Sequence, residues 1–142
     1  MILKRTESAG YLVNWAARLF ARAIQEKLTP LGLANAQMPV FFALGQDDRL
    51  TQKALAEMAA VEQPTMAATL ARMERDGLVR RQANPDDRRS AYFSLTPKAR
   101  RLLEEVMDAA RTINGEALSV LSAAERETLT RALGKIIRKL DR

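Results

Sequence analysis

The sequence predicts a mainly α-helical protein with one small β-hairpin, and three observations carry that reading. Apolar residues recur at helical spacing in six segments, most of them bounded by a proline, a glycine or a capping residue. A single stretch, residues 79 to 96, instead reads as two short runs of β-formers around a polar turn. The chain is 142 residues long, 47% hydrophobic and 28% charged, which suits one folding unit with its own core; abundant Ala, Leu, Arg and Glu favour helix.

The first helix is expected from Tyr11 to Leu28, where Leu12, Trp15, Ala16, Leu19, Phe20, Ala23 and Ile24 make a wide apolar face; Thr29, Pro30 and Gly32 end it. A short second helix fits Gln37 to Leu44, with Met38, Phe41 and Leu44 inward and the polar break GQDDR at 45 to 49 after it. Residues 50 to 78, LTQKALAEMAAVEQPTMAATLARMERDGL, read as two short helices joined by a tight connection around Val61 to Gln63. Pro64 falls in the first turn of the second of these, where its missing amide has no helical partner to lose, and Gly77 closes it.

LVRRQ and AYFSLT then flank ANPDDRRS, whose Asn84-Pro85-Asp86 is a natural turn initiator, so a hairpin is expected here. Thr96 and Pro97 suit the cap and first position of a fifth helix bearing Leu102, Leu103, Val106, Met107, Ala110 and Ile113 towards Gly115, with the pattern extending to Leu118 and Leu121. SAAE at 122 to 125 is a capping box, and the last helix carries Leu129, Leu133, Ile136, Ile137 and Leu140. The terminal helices are too apolar to stand alone, and a homodimer is the natural closed way to cover their stripes.

Composition narrows the function. The chain has no cysteine and no histidine, which removes thiol chemistry, the usual zinc sites and imidazole acid–base catalysis. No carboxylate pair, nucleophile–base set or phosphate-binding loop stands out, so neither an enzyme nor a bound cofactor or metal is expected. No run of about 18 apolar residues is free of charge and no signal peptide is evident, which points to the cytoplasm. The net charge of +6 suggests an anionic partner, with nucleic acid the commonest, although a generic basic surface would give the same number.

A helix pair at 51 to 76 followed by a basic hairpin is the layout of a winged helix-turn-helix. The second helix of the pair then enters the major groove and the hairpin reaches the backbone or the minor groove. Met66, Leu70 and Met73 share one face of that helix and belong to the core. The opposite face presents Ala68, Ala71, Arg72 and Arg75, with Thr65 and Ala67 on its flanks. Small residues let a helix lie deep in the groove, Ala and Thr methyls can meet thymine methyls, and Arg72 can contact guanine or phosphate. Gln52 and Lys53, opening the preceding helix, are placed to meet phosphate with the positive end of the helix dipole. Gln63, at the connection, completes the groove-facing set. Taken alone, these residues equally describe a solvated helix face, and Lys53 a plain surface lysine.

The hairpin is more specific. Residues 77 to 96, GLVRRQANPDDRRSAYFSLT, resemble the MarR family of bacterial transcription regulators, whose pattern runs Gly-Leu-Val or Ile, one residue, Arg, an Asp-x-Arg wing, five residues and Leu-Thr. Gly77, Leu78, Val79, Arg81, Asp87, Arg89, Leu95 and Thr96 match it in order. LTQKALAEMAAV and Met73-Glu74 resemble the family's helices as well, so the likeness covers nearly the whole chain.

The resemblance implies a single domain over residues 1–142, with a winged helix-turn-helix module at about 36–97 flanked by dimerisation helices at about 8–30 and 97–141. It implies a homodimer on a pseudo-palindromic double-stranded DNA operator, usually a repressor released by a small ligand. Carried over by position, Asp87 orients Arg89, Arg89 enters the minor groove, and Arg88 meets phosphate. The physics agrees: a narrow A·T-rich groove concentrates negative potential, and an aspartate can hold a guanidinium fork in one orientation.

Two departures matter. Many members carry a polar or basic residue where this chain has Ala68, and the branch that senses peroxide through an N-terminal cysteine is excluded. Relatives often bind aromatic or phenolic, frequently anionic, compounds between the dimerisation helices and the winged module. Here that crevice is expected to draw on Trp15, Arg18, Met38, Phe41 and Phe42: rings for stacking, a methionine for fit, an arginine for an acid. Each of these is otherwise a core or interface side chain. The reading from another class is a helical interaction protein whose basic wing docks an acidic protein partner; it explains the charge but not the spacing of Asp87 and Arg89.

Overall fold

In the computed structural model, which describes all 142 residues, six helices and the two hairpin strands follow the order expected from the sequence, with one further short strand. They are α1 (Ala9–Leu28), α2 (Met38–Gln46), β1 (Leu50–Thr51), α3 (Gln52–Ala59), α4 (Gln63–Arg75), β2 (Val79–Ala83), β3 (Ala91–Leu95), α5 (Pro97–Leu118) and α6 (Ala123–Leu140). The chain divides into two compact units, Met1–Ala109 and Ala110–Arg142, with the boundary inside α5.

Within the first unit, α1 begins at Ser8, whose hydroxyl accepts from the Tyr11 amide at 3.2 Å. It ends in a turn that Gly32 completes at φ 74°, in the left-handed region. Gln25 locks the connection to α2: its amide nitrogen donates to the Thr29 hydroxyl (3.1 Å) and the Leu33 carbonyl (2.9 Å), and its Oε1 accepts from the Asn35 amide (2.7 Å). α2 turns one face into the core, with Val40, Phe41 and Leu44 essentially inaccessible, and leaves Phe42 exposed on the other. It runs two residues beyond the expected end, and at Gly45 it lies close to α5, where a Cβ would come within 3.3 Å of a Leu103 methyl.

The next two helices form the pair read from the sequence. Thr51 caps α3, accepting from the Ala54 amide at 3.1 Å. The turn that follows places Ala60 at φ 54°, a conformation that costs a residue with a side chain about 1–2 kcal/mol. Met66, Leu70 and Met73 of α4 are buried, as their spacing predicts, in a core that also holds Leu55, Phe93 and Val106. Helices packed this way bury their apolar stripe and leave the other face to solvent.

The hairpin is antiparallel, paired from Val79↔Leu95 to Ala83↔Ala91. Sequence reasoning missed β1, which adds to the far edge of β3 through Leu50↔Phe93 and Thr51↔Tyr92 and gives the order β1-β3-β2. Two residues are too few to show alternation, and their partners lie some forty residues away. In the second unit, Ser122 and Glu125 make the reciprocal capping box, at 3.1 and 3.0 Å, and Arg126 donates to the Leu118 carbonyl at 2.9 Å. No side chain of α6 is buried.

Thr96 stands where the hairpin returns to helix. Its hydroxyl donates to the Gly77 carbonyl (2.6 Å) and accepts from the Ala99 amide (3.2 Å), so it closes the end of α4 and caps α5 at once. Thr96→Val is therefore expected to lower the unfolding free energy by about 1–3 kcal/mol in urea titrations, with Thr96→Ser close to wild type; equal stability of all three would contradict this role. Glu125 supplies a pH dependence. The Ser122 backbone amide first, and the Ser122 hydroxyl second, hold its carboxyl below the ordinary value. A depressed folded-state value means a contribution present above the unfolded value and lost as pH falls through the folded one. Exchange of the Ser122 amide should accelerate on acidification in the wild type, over and above its intrinsic pH dependence, and not in Glu125→Gln.

Candidate nucleic-acid interface

Three elements of the first unit present polar side chains to solvent without support from the core: the start of α3, the outer face of α4, and the hairpin tip. On α4, Gln63, Thr65, Ala68, Ala71, Arg72 and Arg75 are all exposed, and Ala67 is half-buried. Arg72 is drawn toward Asp76 one turn later, Nε to Oδ2 at 4.0 Å. No such partner holds Arg75. On α3, Lys53 is exposed, while half-buried Gln52 reaches across the turn and donates to Gln63 at 3.4 Å. The structure thus brings Gln52 and Gln63 together and leaves Lys53 apart from both.

The tip is shaped by its own polar groups. Asn84 Oδ1 accepts from the Asp86 amide at 3.0 Å, the local bond that makes Asn-Pro-Asp a turn initiator. Asp87 then accepts from the Arg89 amide at 2.9 Å through its carboxylate, and its carbonyl accepts from Ser90 at 3.2 Å. The same carboxylate lies 3.9 Å from the Arg89 guanidinium, whose side chain is 96% exposed. As an ion pair at a solvated tip this is worth little. As geometry it matters more: Asp87 fixes the backbone from which Arg89 projects.

Two cations that the sequence reading did not place at the site do structural work. Arg81 lies with its guanidinium 5.0 Å from the Phe93 ring centroid and 3.7 Å from Glu74, so it pins β2 to the end of α4. Arg49 stacks on Tyr92 at 4.3 Å. Arg81, Ala83, Asn84, Arg88, Arg89, Ser90 and Ala91 line an open cleft of about 450 Å³ at the base of the tip. Strand alternation carried part of this signal, since Arg81 shares a face with Val79 and Ala83; the stacking did not show in the sequence.

The net charge of +6 is not concentrated here. Between residues 50 and 96, seven Lys and Arg stand against six Asp and Glu. Three of those arginines also have an acidic neighbour within 4.0 Å. Placement of individual cations, rather than a broad basic field, distinguishes this surface.

A model of the MarR family matches residues 31–90, from the end of α1 to the hairpin. The HTH-type transcriptional regulator YwoH of Bacillus subtilis (strain 168) is 35% identical over 94 residues, 66% of this chain and 68% of that protein. The chain belongs to the MarR family. A mutant MarR from E. coli, solved in complex with operator DNA, superposes with a TM-score of 0.82 at 26% identity, covering 90% of this chain and 92% of that one. The transcriptional repressor CouR, solved on a 23-mer DNA duplex, gives 0.83 at 26% identity, covering 96% and 99%. Family and fold are those of transcription regulators, not of enzymes.

The MarR-type crevice residues are divided by the structure. Met38 and Phe41 are core side chains, 8% and 0% exposed. Trp15, Arg18 and Phe42 lie at the surface, and the Arg5 guanidinium covers the Trp15 ring at 5.1 Å. Helical spacing marks Met38 and Phe41 equally well as core or as lining, which is why pattern alone did not separate them.

The hold of Asp87 on the wing tip is directly measurable. Asp87→Ala should raise the exchange rate of the Arg89 amide by about 5- to 10-fold while global stability stays within about 0.5 kcal/mol. An unchanged Arg89 amide would show that the tip is ordered by something else.

Proposed function

We propose that this MarR-family regulator is a homodimeric, sequence-specific DNA-binding repressor. It places α4 in the major groove and the wing in the minor groove of a pseudo-palindromic operator, and a small aromatic or phenolic effector relieves it. The observation that carries the reading is Arg89: fully presented to solvent, on a backbone fixed by Asp87, at the tip of a hairpin braced against α4. A guanidinium so placed suits a narrow groove with strong negative potential. Arg88 and Arg75 then serve phosphate, as does Lys53 beside the α3 N-terminus. Thr65, Ala68 and Arg72 face the bases, with Gln52 and Gln63 at the entry to the groove. The DNA complexes of two relatives support the same partner.

Support for the dimer comes from apolar surface with nothing to cover it. Leu12, Val13 and Leu19 of α1 are 41–45% exposed. Ile137 and Leu140 of α6 are 61% and 67% exposed. Exposed apolar stripes of this kind, each taken on its own helix, mark interaction sites. A second copy would cover it symmetrically, with helices at about 8–30 and 97–141 as the dimerisation elements. An effector entering the crevice would meet Trp15, Arg18 and Phe42 first; Met38 and Phe41 would take part only by displacement from the core. No helix is long and apolar enough to cross a membrane, and we place the protein in the cytoplasm with its DNA.

Arg89→Ala should weaken binding to the DNA upstream of the protein's own gene by about 1–3 kcal/mol, and wild-type affinity should fall with rising salt. Quantitative gel shifts check both. Indifference to the substitution and to salt would overturn the reading, and failure to bind random duplex DNA even at low salt would favour an acidic protein partner for the wing.

A further inference from the structure

The two helices of the DNA-facing pair each open on a glutamine. Gln52 is the first residue of α3 and Gln63 the first of α4. Neither side chain caps its own helix. Thr51 takes the capping bond of α3, and the Glu62 side chain makes none at α4, where Pro64 has no amide to offer. The left-handed Ala60 turns the chain so that the two glutamines meet, Gln52 Nε2 donating to Gln63 Oε1 at 3.4 Å across eleven residues.

That bond has a consequence for what Gln63 can still do. A primary amide offers two N–H donors and two acceptor lone pairs. With one lone pair of Oε1 taken by Gln52, Gln63 keeps one acceptor and both donors, and the bond favours one orientation of its amide. The major-groove edge of adenine presents one donor, the N6 amino group, beside one acceptor, N7; that of guanine presents two acceptors, O6 and N7. The held amide matches adenine with two bonds. Against guanine one contact sets Oε1 against a second oxygen or nitrogen lone pair, and turning the amide over would break its bond from Gln52.

We infer that Gln63 reads adenine in each half-site and that Gln52 is the positioning residue that holds its amide in register, rather than a phosphate contact. This inference rests on the DNA-binding reading above. It also gives α4 a hydrogen-bonding base contact where the small Ala68 offers only a methyl group.

Selection of binding sites from a random duplex library tests it, using the full-length wild type, Gln63→Ala and Gln52→Ala, each confirmed folded by thermal melting. The wild type should enrich sites with a fixed adenine at one position per half-site. Gln63→Ala should lose preference at that position alone. Gln52→Ala should reduce the preference there by about 5- to 10-fold, within the range of one bidentate base contact, and by more than it lowers affinity for random duplex. Replacing that adenine by 7-deazaadenine should weaken the wild type and leave Gln63→Ala unaffected. Guanine at the position that Gln63→Ala relaxes, or no relaxed position, overturns the inference. So does a Gln52→Ala variant that binds all sequences uniformly more weakly, as loss of a phosphate contact would. Enrichment of no sequence by the wild type would instead count against specific DNA binding itself.

Discussion

The angle between α4 and the wing depends on a few bonds around Thr96. Its hydroxyl joins the Gly77 carbonyl to the Ala99 amide, its own amide donates to the Leu78 carbonyl at 3.1 Å, and Lys98 donates to the Asp76 carbonyl at 2.9 Å. Three successive carbonyls just past the end of α4, those of Asp76, Gly77 and Leu78, are thereby satisfied by the cap and first turn of α5. Gly77, at φ 73°, makes the turn that brings them there. Because the hairpin leaves from Leu78 and returns at Leu95, its base is fixed to the end of α4. A dimer that must place two helices and two wings on one duplex needs that angle to be rigid.

Much of this was legible in the sequence, and for identifiable reasons. Gly77, Thr96, Pro97 and the SAAE box are local signals, each tied to a backbone group within a few residues, and each occupies the position its chemistry demands. The core face of α4 followed from spacing alone. What did not show were the features made by distant parts of the chain: β1, which pairs with the edge that β3 offers; the close approach of Leu103 to Gly45; and the stacking of Arg81 and Arg49 on rings of β3. Pattern gives helical faces but not which of two buried-looking residues lines a crevice, and Met38 and Phe41 fall on the core side of that ambiguity.

The charge distribution changes the weight of the argument as well. A net charge of +6 invites a picture of a basic protein drawn to nucleic acid by its field. The winged module itself is close to neutral, and several of its arginines sit beside acids of the same module. On the proposed reading, discrimination lies in which donors are held where, by Asp87 at the wing and by Gln52 at the start of α4.

The account makes the dimer, not the protomer, the unit that reads DNA, with one α4 and one wing per half-site. Hydroxyl-radical footprinting of the wild-type protein on the DNA upstream of its own gene tests this most directly. Two protected clusters related by two-fold symmetry are predicted, their centres about one helical turn, roughly 10 base pairs, apart. A single unsymmetrical cluster, or no protection at concentrations where the protein is dimeric, would contradict it.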